Sequence, residues 1–170
     1  LTIAYLGLES GDDKVLHMIV KGNSSKEMED ASLKIKRCGF KLSTIAMLGV
    51  GGRKYSKQHI EGTAKILSAT CPEYFSFLTT FSVPGTPYHK MEQRGLIEPL
   101  TSKELFTEMH DIIEQSSFEL NPVIFRANHV SNQNPLAGTL PRDQKVIVHK
   151  LKEWISNTPD GVYPPRPHQM

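Results

Sequence analysis

What constrains this chain most is a hydrophobic period that switches back and forth between strand and helix through its first half. Residues 2–8 are a short apolar run suited to a strand buried on both faces. Ser24 and Glu27 have the spacing of a capping box. Met28, Ala31, Ile35 and Cys38 follow at helical spacing, and Gly39 sits where a helix stops in the left-handed conformation. A strand from Lys41 to Leu48 ends in Gly49-Val50-Gly51-Gly52. A helix from about Ser56 to Ala69 is predicted next, with Ile60, Ala64 and Leu67 on one face and Pro72 as its breaker. Tyr74 to Val83 reads as a third strand. Each helix must carry the chain back to the starting end, so these strands pair in parallel through right-handed crossovers. The fold class is therefore α/β. Three strands cannot close a barrel, which leaves an arc of a (β/α) barrel or a small open sheet.

After the third strand the pattern loosens. Pro84-Gly85-Thr86-Pro87 is a turn, followed by a short helix to Arg94 that Gly95 ends. Thr101 to Glu104 is a second capping box, opening a helix through Leu105, Met109 and Ile112 to about Ser116. Val123 to Ala127 is predicted as a short strand and Asn128 to Leu140 as a polar loop. Pro141 is placed in the first turn of a last helix, with Ile147, Leu151 and Trp154 on its apolar face. Prolines 159, 164, 165 and 167, with Gly161, make residues 158–170 an extended, mobile tail. The division expected is 1–96 for the strand–helix alternation, 97–157 for a helical extension packed on it, and 158–170 for the tail.

The 170 residues suffice for one domain with a real core, and 38% apolar with 22% charged content excludes a disordered or fibrous chain. A net charge of +2, with both signs interspersed, gives no reason to expect nucleic acid or an anionic membrane as partner. No apolar run approaches the length of a bilayer span. Residues 1–8 lack the charged front and cleavage site of a signal peptide. A chain that starts inside a strand, on Leu1, reads as a piece of something longer. Cys38 and Cys71 form no CxxC pair, so both are expected to be buried reduced thiols, no metal ligands are assigned, and a cytoplasmic location fits.

Ligands of parallel sheets bind at the C-terminal ends of the strands. The three ends here are Gly7-Leu8-Glu9-Ser10-Gly11, Gly49-Val50-Gly51-Gly52-Arg53 and Ser82-Val83-Pro84-Gly85-Thr86-Pro87. Glycine lets a ligand approach the backbone, and Glu9 can accept hydrogen bonds from a diol. Arg53 is either a bidentate partner for a carboxylate or a solvated loop residue. Arg126, Asn128, His129, Ser131 and Asn132 either line a substrate pocket or form a self-satisfied turn. His17 and His59 read as satisfied or exposed rather than as ligands, having no second ligand at metal spacing. Tyr74, Phe75, Phe77 and Phe81 read as core.

Four segments resemble the radical S-adenosylmethionine (SAM) enzymes: YLGLESGDDKVLHMIVKG from Tyr5 to Gly22, MLGVGG from Met47 to Gly52, FSVPGTPYHKMEQRG from Phe81 to Gly95, and RANHVSNQNPLAGTLPRDQ from Arg126 to Gln144. The last is similar to a C-terminal signature of one branch of these proteins. The resemblance implies the second half of a partial six-stranded (β/α) barrel, strands four to six plus an extension. It implies SAM and a 4Fe–4S cluster as cofactors of the parent protein. The family's CxxxCxxC loop is absent from this sequence. Neither cofactor is therefore expected on this chain alone, and neither is catalysis. By the same resemblance Glu9 and Ser10 match the contact to the ribose of SAM. Gly49 and Gly51 match the stretch against the adenine, which Val83, Pro84 and Gly85 would complete. Where relatives continue with glycine–glutamate–threonine, this chain has Gly52-Arg53-Lys54, so no role transfers to Arg53. The expected partners are the N-terminal half of the same barrel, SAM, and a small-molecule or macromolecular substrate. Two alternatives stand beside this reading. One is a non-catalytic interaction module that covers its open sheet by forming a homodimer. The other is a phosphate-binding barrel fragment using Arg53, Lys54 and Lys57.

Overall fold

The computed structural model describes residues 2–165. Five strands form one sheet in sequence order: β1 (Ile3–Glu9), β2 (Lys41–Leu48), β3 (Tyr74–Thr79), β4 (Val123–Ala127) and β5 (Leu136–Leu140). The first four are parallel, and β5 runs antiparallel to β4. The helices are α1 (Asp13–Met18), α2 (Ser25–Arg37), α3 (Gly52–Thr70), α4 (Pro87–Gln93), α5 (Ser102–Gln115) and α6 (Gln144–Asn157). This is the α/β, mostly parallel, alternating architecture expected. Among the described residues no helix is long and apolar enough to cross a membrane.

Helices α2, α3, α5 and α6 pack side by side against one face of the sheet. Parallel register places Thr44, Phe75 and Phe125 in one row on that face and Ala46 and Phe77 in the next. The Phe75 and Phe77 rings meet edge-on at 4.6 Å, and Phe77 meets Phe125 at 5.9 Å. With Leu67, Met109, Ile112, Leu140 and Leu151 they make the main core. The opposite face carries Tyr5, Ser43, Tyr74 and Ile124 in one row and Gly7, Ile45, Ser76 and Arg126 in the next. It is far more open, with Tyr5 75% exposed.

Both capping boxes form as read from sequence, at Ser24–Glu27 and Thr101–Glu104. Thr101→Ala leaves the α5 N-terminus without its side-chain acceptor, and urea denaturation should show a loss of about 1 kcal/mol.

Several expectations need correction. Strand β1 is an edge strand, half-exposed rather than buried on both faces, because among the described residues only β2 pairs with it. Strand β3 ends at Thr79 rather than Val83, where its pairing with Leu48 runs out. Helix α3 starts at Gly52, four residues before Ser56, with Gly51 as its first flanking residue. The short helix α1, capped by the Asp12 carboxylate, was not expected. The polar loop 128–140 contains β5, whose central Gly138 obscures strand alternation. Segment 97–157 therefore extends the sheet as well as adding helices. Pro141 lies ahead of α6 rather than in its first turn, and the Asp143 carboxylate accepts from Thr139 N instead of capping the helix. Cys71 is buried, but Cys38 is exposed at the end of α2. The tail is held up to Val162, whose carbonyl accepts from Ser102 N at 2.7 Å, while Lys103 pairs with Asp160 at 2.8 Å. Pro167 and the other residues after 165 lie outside the described residues.

Candidate functional site

Parallel pairing of β1, β2 and β3 puts Glu9, the Gly49–Gly52 turn and the segment after Thr79 at one edge of the sheet. At the end of β1 the register shifts between Gly7 and Glu9, and Glu9 adopts a left-handed backbone with φ 60°. Non-glycine residues held there cost about 1–3 kcal/mol and concentrate at functional sites. The Glu9 side chain folds over Gly7 on the open face and pairs with Lys21 at 3.1 Å. A carboxylate at this spot can still accept from a diol, since one oxygen binds the ammonium and the other does not.

Ser10 is placed differently from Glu9. It is fully buried under α3, with Oγ 2.8 Å from His59 Nδ1. Gly11, beside it, lies directly against Gly62 of α3. The Ser10-Gly11 pair thus anchors the β1 loop to a helix, while Glu9 faces outward.

At the end of β2, Gly49 has φ 76°, a conformation that suits glycine, and its amide donates to Glu108 Oε2 at 2.5 Å. Its carbonyl accepts from the Tyr88 hydroxyl at 3.1 Å. A cavity of about 320 Å³ opens here, bounded by Gly49, Thr80, Phe81, Ser82, Tyr88, Glu92, Leu100, Leu105 and the tail residues Tyr163 and Pro164. Thr80 Oγ1 and Glu92 Oε2, on two of these residues, are buried without a hydrogen-bond partner among the described residues, and Glu92 Oε2 lies 3.6 Å from His89 Nδ1. An apolar, aromatic-sided slot of this size suits a flat heterocycle. Gly51 is not part of it and packs between Val15 and Tyr55. Val83, Pro84 and Gly85 are exposed and lie outside the cavity; Ser82 is the residue of that segment that lines it.

Arg53 is committed to protein partners. Its guanidinium forks onto the Glu104 carboxylate at 2.7 and 3.0 Å and also pairs with Glu98. The two carboxylates hold its pKa further above the ordinary arginine value. These are exposed ion pairs, so Arg53→Ala should cost at most about 1 kcal/mol in urea denaturation, and less at high salt.

The cluster after β4 divides. Ser131 and Asn132 are buried and tie down the end of β3: Thr79 N donates to Ser131 Oγ at 3.1 Å, and Asn132 Nδ2 donates to the Phe77 carbonyl at 2.8 Å. They replace ladder bonds that β4 stops supplying after Ser76. His129 completes that turn through Ser131 Oγ at 2.9 Å. Arg126 and Asn128 are exposed, and Arg126 is on the open face of the sheet.

Both cysteines lie at the far end of the sheet, since Cys38 and Cys71 precede β2 and β3. Their thiols do not fit an iron–sulfur cluster at the strand ends described above. The group His110, Asp111 and Glu114 brings its polar atoms within 4.8 Å on the side of α5, where Lys152 already pairs with Glu114.

Sequence reading missed Glu108, Thr80, Tyr88 and Glu92, and read His59 as satisfied or exposed, where the imidazole is buried and Nε2 is unpartnered among the described residues. Glu108 had a usable signal: it stands among Leu105, Met109 and Ile112 on the buried stripe of α5. Burial pushes its carboxyl up to about 7, against the opposing pull of the Gly49 N–H and the Ser56 hydroxyl. Burial pushes the His59 imidazole down to about 4.

No family model matches the chain, and no curated protein matches it in sequence. Among solved structures, the chain is similar to the archaeal Methanocaldococcus infernus Elp3 with an N-terminal deletion (1–46), at TM-score 0.61 and 17% identity. The match covers 90% of this chain and 36% of that one, so the chain spans about a third of its structural neighbour. At this identity the likeness is one of fold.

Proposed function

We propose that this chain is the second half of a radical SAM (β/α) barrel, contributing the wall that holds the nucleoside of SAM. The observation that carries the proposal is the convergence of Glu9, Gly49 and Ser82 at one end of a parallel sheet that is covered on one face only. The fold likeness to Elp3, a radical SAM protein, supports it, with 90% of this chain matching 36% of that longer one.

On this reading Glu9 accepts from the ribose hydroxyls. The cavity takes the adenine between its aromatic sides, which Phe81, Tyr88 and Tyr163 supply. SAM supplies the radical chemistry when it is bound to a cluster. The CxxxCxxC loop is absent from this sequence, and the preceding half of the barrel would hold the cluster. That half would pair with the outer edge of β1 and cover Tyr5. Arg126, on the open face, would then look into the barrel at the substrate. Without that half, the bare edge favours self-association. Light scattering of the chain alone should report a dimer, and a clean monomer would count against an uncovered sheet.

The deciding experiment is to join the chain to its upstream coding sequence and reconstitute the product anaerobically with iron and sulfide. The expected result is a CxxxCxxC loop upstream, a bound four-iron cluster, and reductant-dependent release of 5′-deoxyadenosine. Glu9→Gln should slow that release at least tenfold at subsaturating SAM. An upstream region without such a loop, or a product that binds no iron, would overturn the proposal.

A further inference from the structure

A chain of buried polar side chains runs from the end of β1 to the end of β2, through Ser10, His59 and Glu108, each at most 1% exposed. Ser10 Oγ accepts from Asp12 N at 3.1 Å and lies 2.8 Å from His59 Nδ1. Thr63 Oγ1 accepts from Gly11 N at 3.0 Å and lies 3.4 Å from the same ring nitrogen. Both hydroxyls already accept a backbone N–H, so their own protons are free to point at Nδ1. With a hydroxyl proton on Nδ1, that nitrogen is the acceptor and the single proton of a neutral imidazole sits on Nε2.

Among the described residues Nε2 has no hydrogen-bond partner, and it lies 3.9 Å from Glu108 Oε2. Buried donors are rarely left unpaired in a native fold, and the exceptions call for an explanation. Glu108 is meanwhile fully used elsewhere. Oε2 accepts from Gly49 N, and Oε1 accepts from the Ser56 hydroxyl at 2.7 Å. Gly49 in turn holds Tyr88, so this carboxylate supports two sides of the cavity.

We propose that Glu108 is the positioning residue of the cavity wall and that the His59 Nε2–H is its alternative partner, so that one proton gained or lost at the Glu108 carboxyl sets how firmly the Gly49 peptide is held. As a carboxylate, Glu108 grips the Gly49 amide by a charge-assisted bond and draws the imidazole N–H toward it. As a neutral acid it keeps only a weaker acceptor for that amide. The groups facing it are Ser56 and His59 from α3, the Gly49 amide from β2, Tyr88 from α4, and Glu104 one turn back on α5. His59 stays neutral at neutral pH because burial disfavours its charge, and burial likewise keeps the Tyr88 phenol protonated. Glu104 is tied to Arg53. Of the groups in this contact, Glu108 is the one that burial has moved into the neutral range.

The inference rests on the proposed function only in taking the cavity as the ligand site, and its test needs no ligand. The ¹⁵N-labelled chain is titrated by NMR through the neutral range. The Gly49 amide should follow a one-proton curve with a midpoint near pH 7. His59 should carry its proton on Nε2 throughout, and Glu108→Gln should abolish the Gly49 titration. A Gly49 amide that ignores pH, an unchanged curve in Glu108→Gln, or a His59 proton on Nδ1 would each overturn the proposal. Should Glu108→Gln fail to fold, His59→Leu replaces it: losing a donor toward the carboxylate should raise the Gly49 midpoint, and an unmoved midpoint counts against the pair. If Gly49 titrates as expected but 5′-deoxyadenosine leaves the cavity resonances unmoved, the nucleoside reading fails while this one stands.

Discussion

Gly62→Ala is expected to destabilise the chain by about 3 kcal/mol or more, the range of substitutions that force a clash in a packed interior. A methyl group on Gly62 would sit 2.4 Å from the Gly11 carbonyl oxygen and 2.6 Å from its carbon. The reverse change is worse: a methyl on Gly11 would come 2.1 Å from the Gly62 carbonyl carbon and 2.4 Å from Thr63 N. Both obstacles are backbone, so no rotamer change relieves them. Relief requires pulling the β1 loop off α3, which breaks the Gly11 N–H to Thr63 bond and uncovers Ser10. The sign is informative because Gly62 is in the middle of a helix, where alanine is ordinarily better by about 1 kcal/mol. Equilibrium urea denaturation checks it. A Gly62→Ala chain as stable as the parent would mean that the loop does not rest on the helix. With total stabilities of about 5–15 kcal/mol for such domains, the variant should be visibly less folded at ordinary temperature.

Stability against pH should be governed by two buried groups that oppose each other. The Glu108 carboxyl is raised by burial to about 7, so between its unfolded value of 4.5 and 7 the folded chain keeps a proton that the unfolded chain releases. Stability from this group falls as pH rises through that window, by on the order of 3 kcal/mol. The His59 imidazole is lowered by burial to about 4 from 6.5, so there the unfolded chain binds the extra proton. Stability from His59 rises with pH between those values, by a similar amount. The two nearly cancel from pH 4.5 to 6.5. Glu108→Gln removes one side of the balance. Its stability should climb steeply from pH 4 to 6.5, and above pH 7 it should exceed that of the parent. Urea denaturation at pH 4, 5, 6, 7 and 8 measures both curves. A Glu108→Gln profile parallel to the parent's would show that the carboxyl is not neutral in the folded chain at low pH.

The parallel alternation was legible because Leu42, Phe75 and Phe77 lie on strands bounded by helices with clear caps at Ser24 and Thr101. Turn and cap chemistry is local, so it can be read without knowing the neighbours. What failed to show was set by distant contacts. Strand β5 exists because β4 offers it an edge, and the glycine at 138 hides its period. Helix α3 begins at Gly52 because Arg53 N reaches the Glu98 carbonyl at 2.8 Å, a contact 45 residues away. The three strand ends were recognisable from their glycines and from Glu9, yet the residues that shape the cavity were not. Thr80, Tyr88 and Glu92 carry no pattern of their own, and only folding brings them to Gly49. Ser10 matches a ligand contact only through the family resemblance, and from sequence Asn132 stands between pocket and self-satisfied turn; both are buried and hold loops in place.

The central claim, that these strand ends form a nucleoside wall, is tested most directly by mapping amide shifts of the chain on titration with 5′-deoxyadenosine. The account predicts a saturable response confined to Glu9, Gly49, Thr80, Ser82, Tyr88 and Glu92. Shifts centred on the opposite end of the sheet, around Cys38 and Cys71, or no saturable response at millimolar ligand, would contradict it.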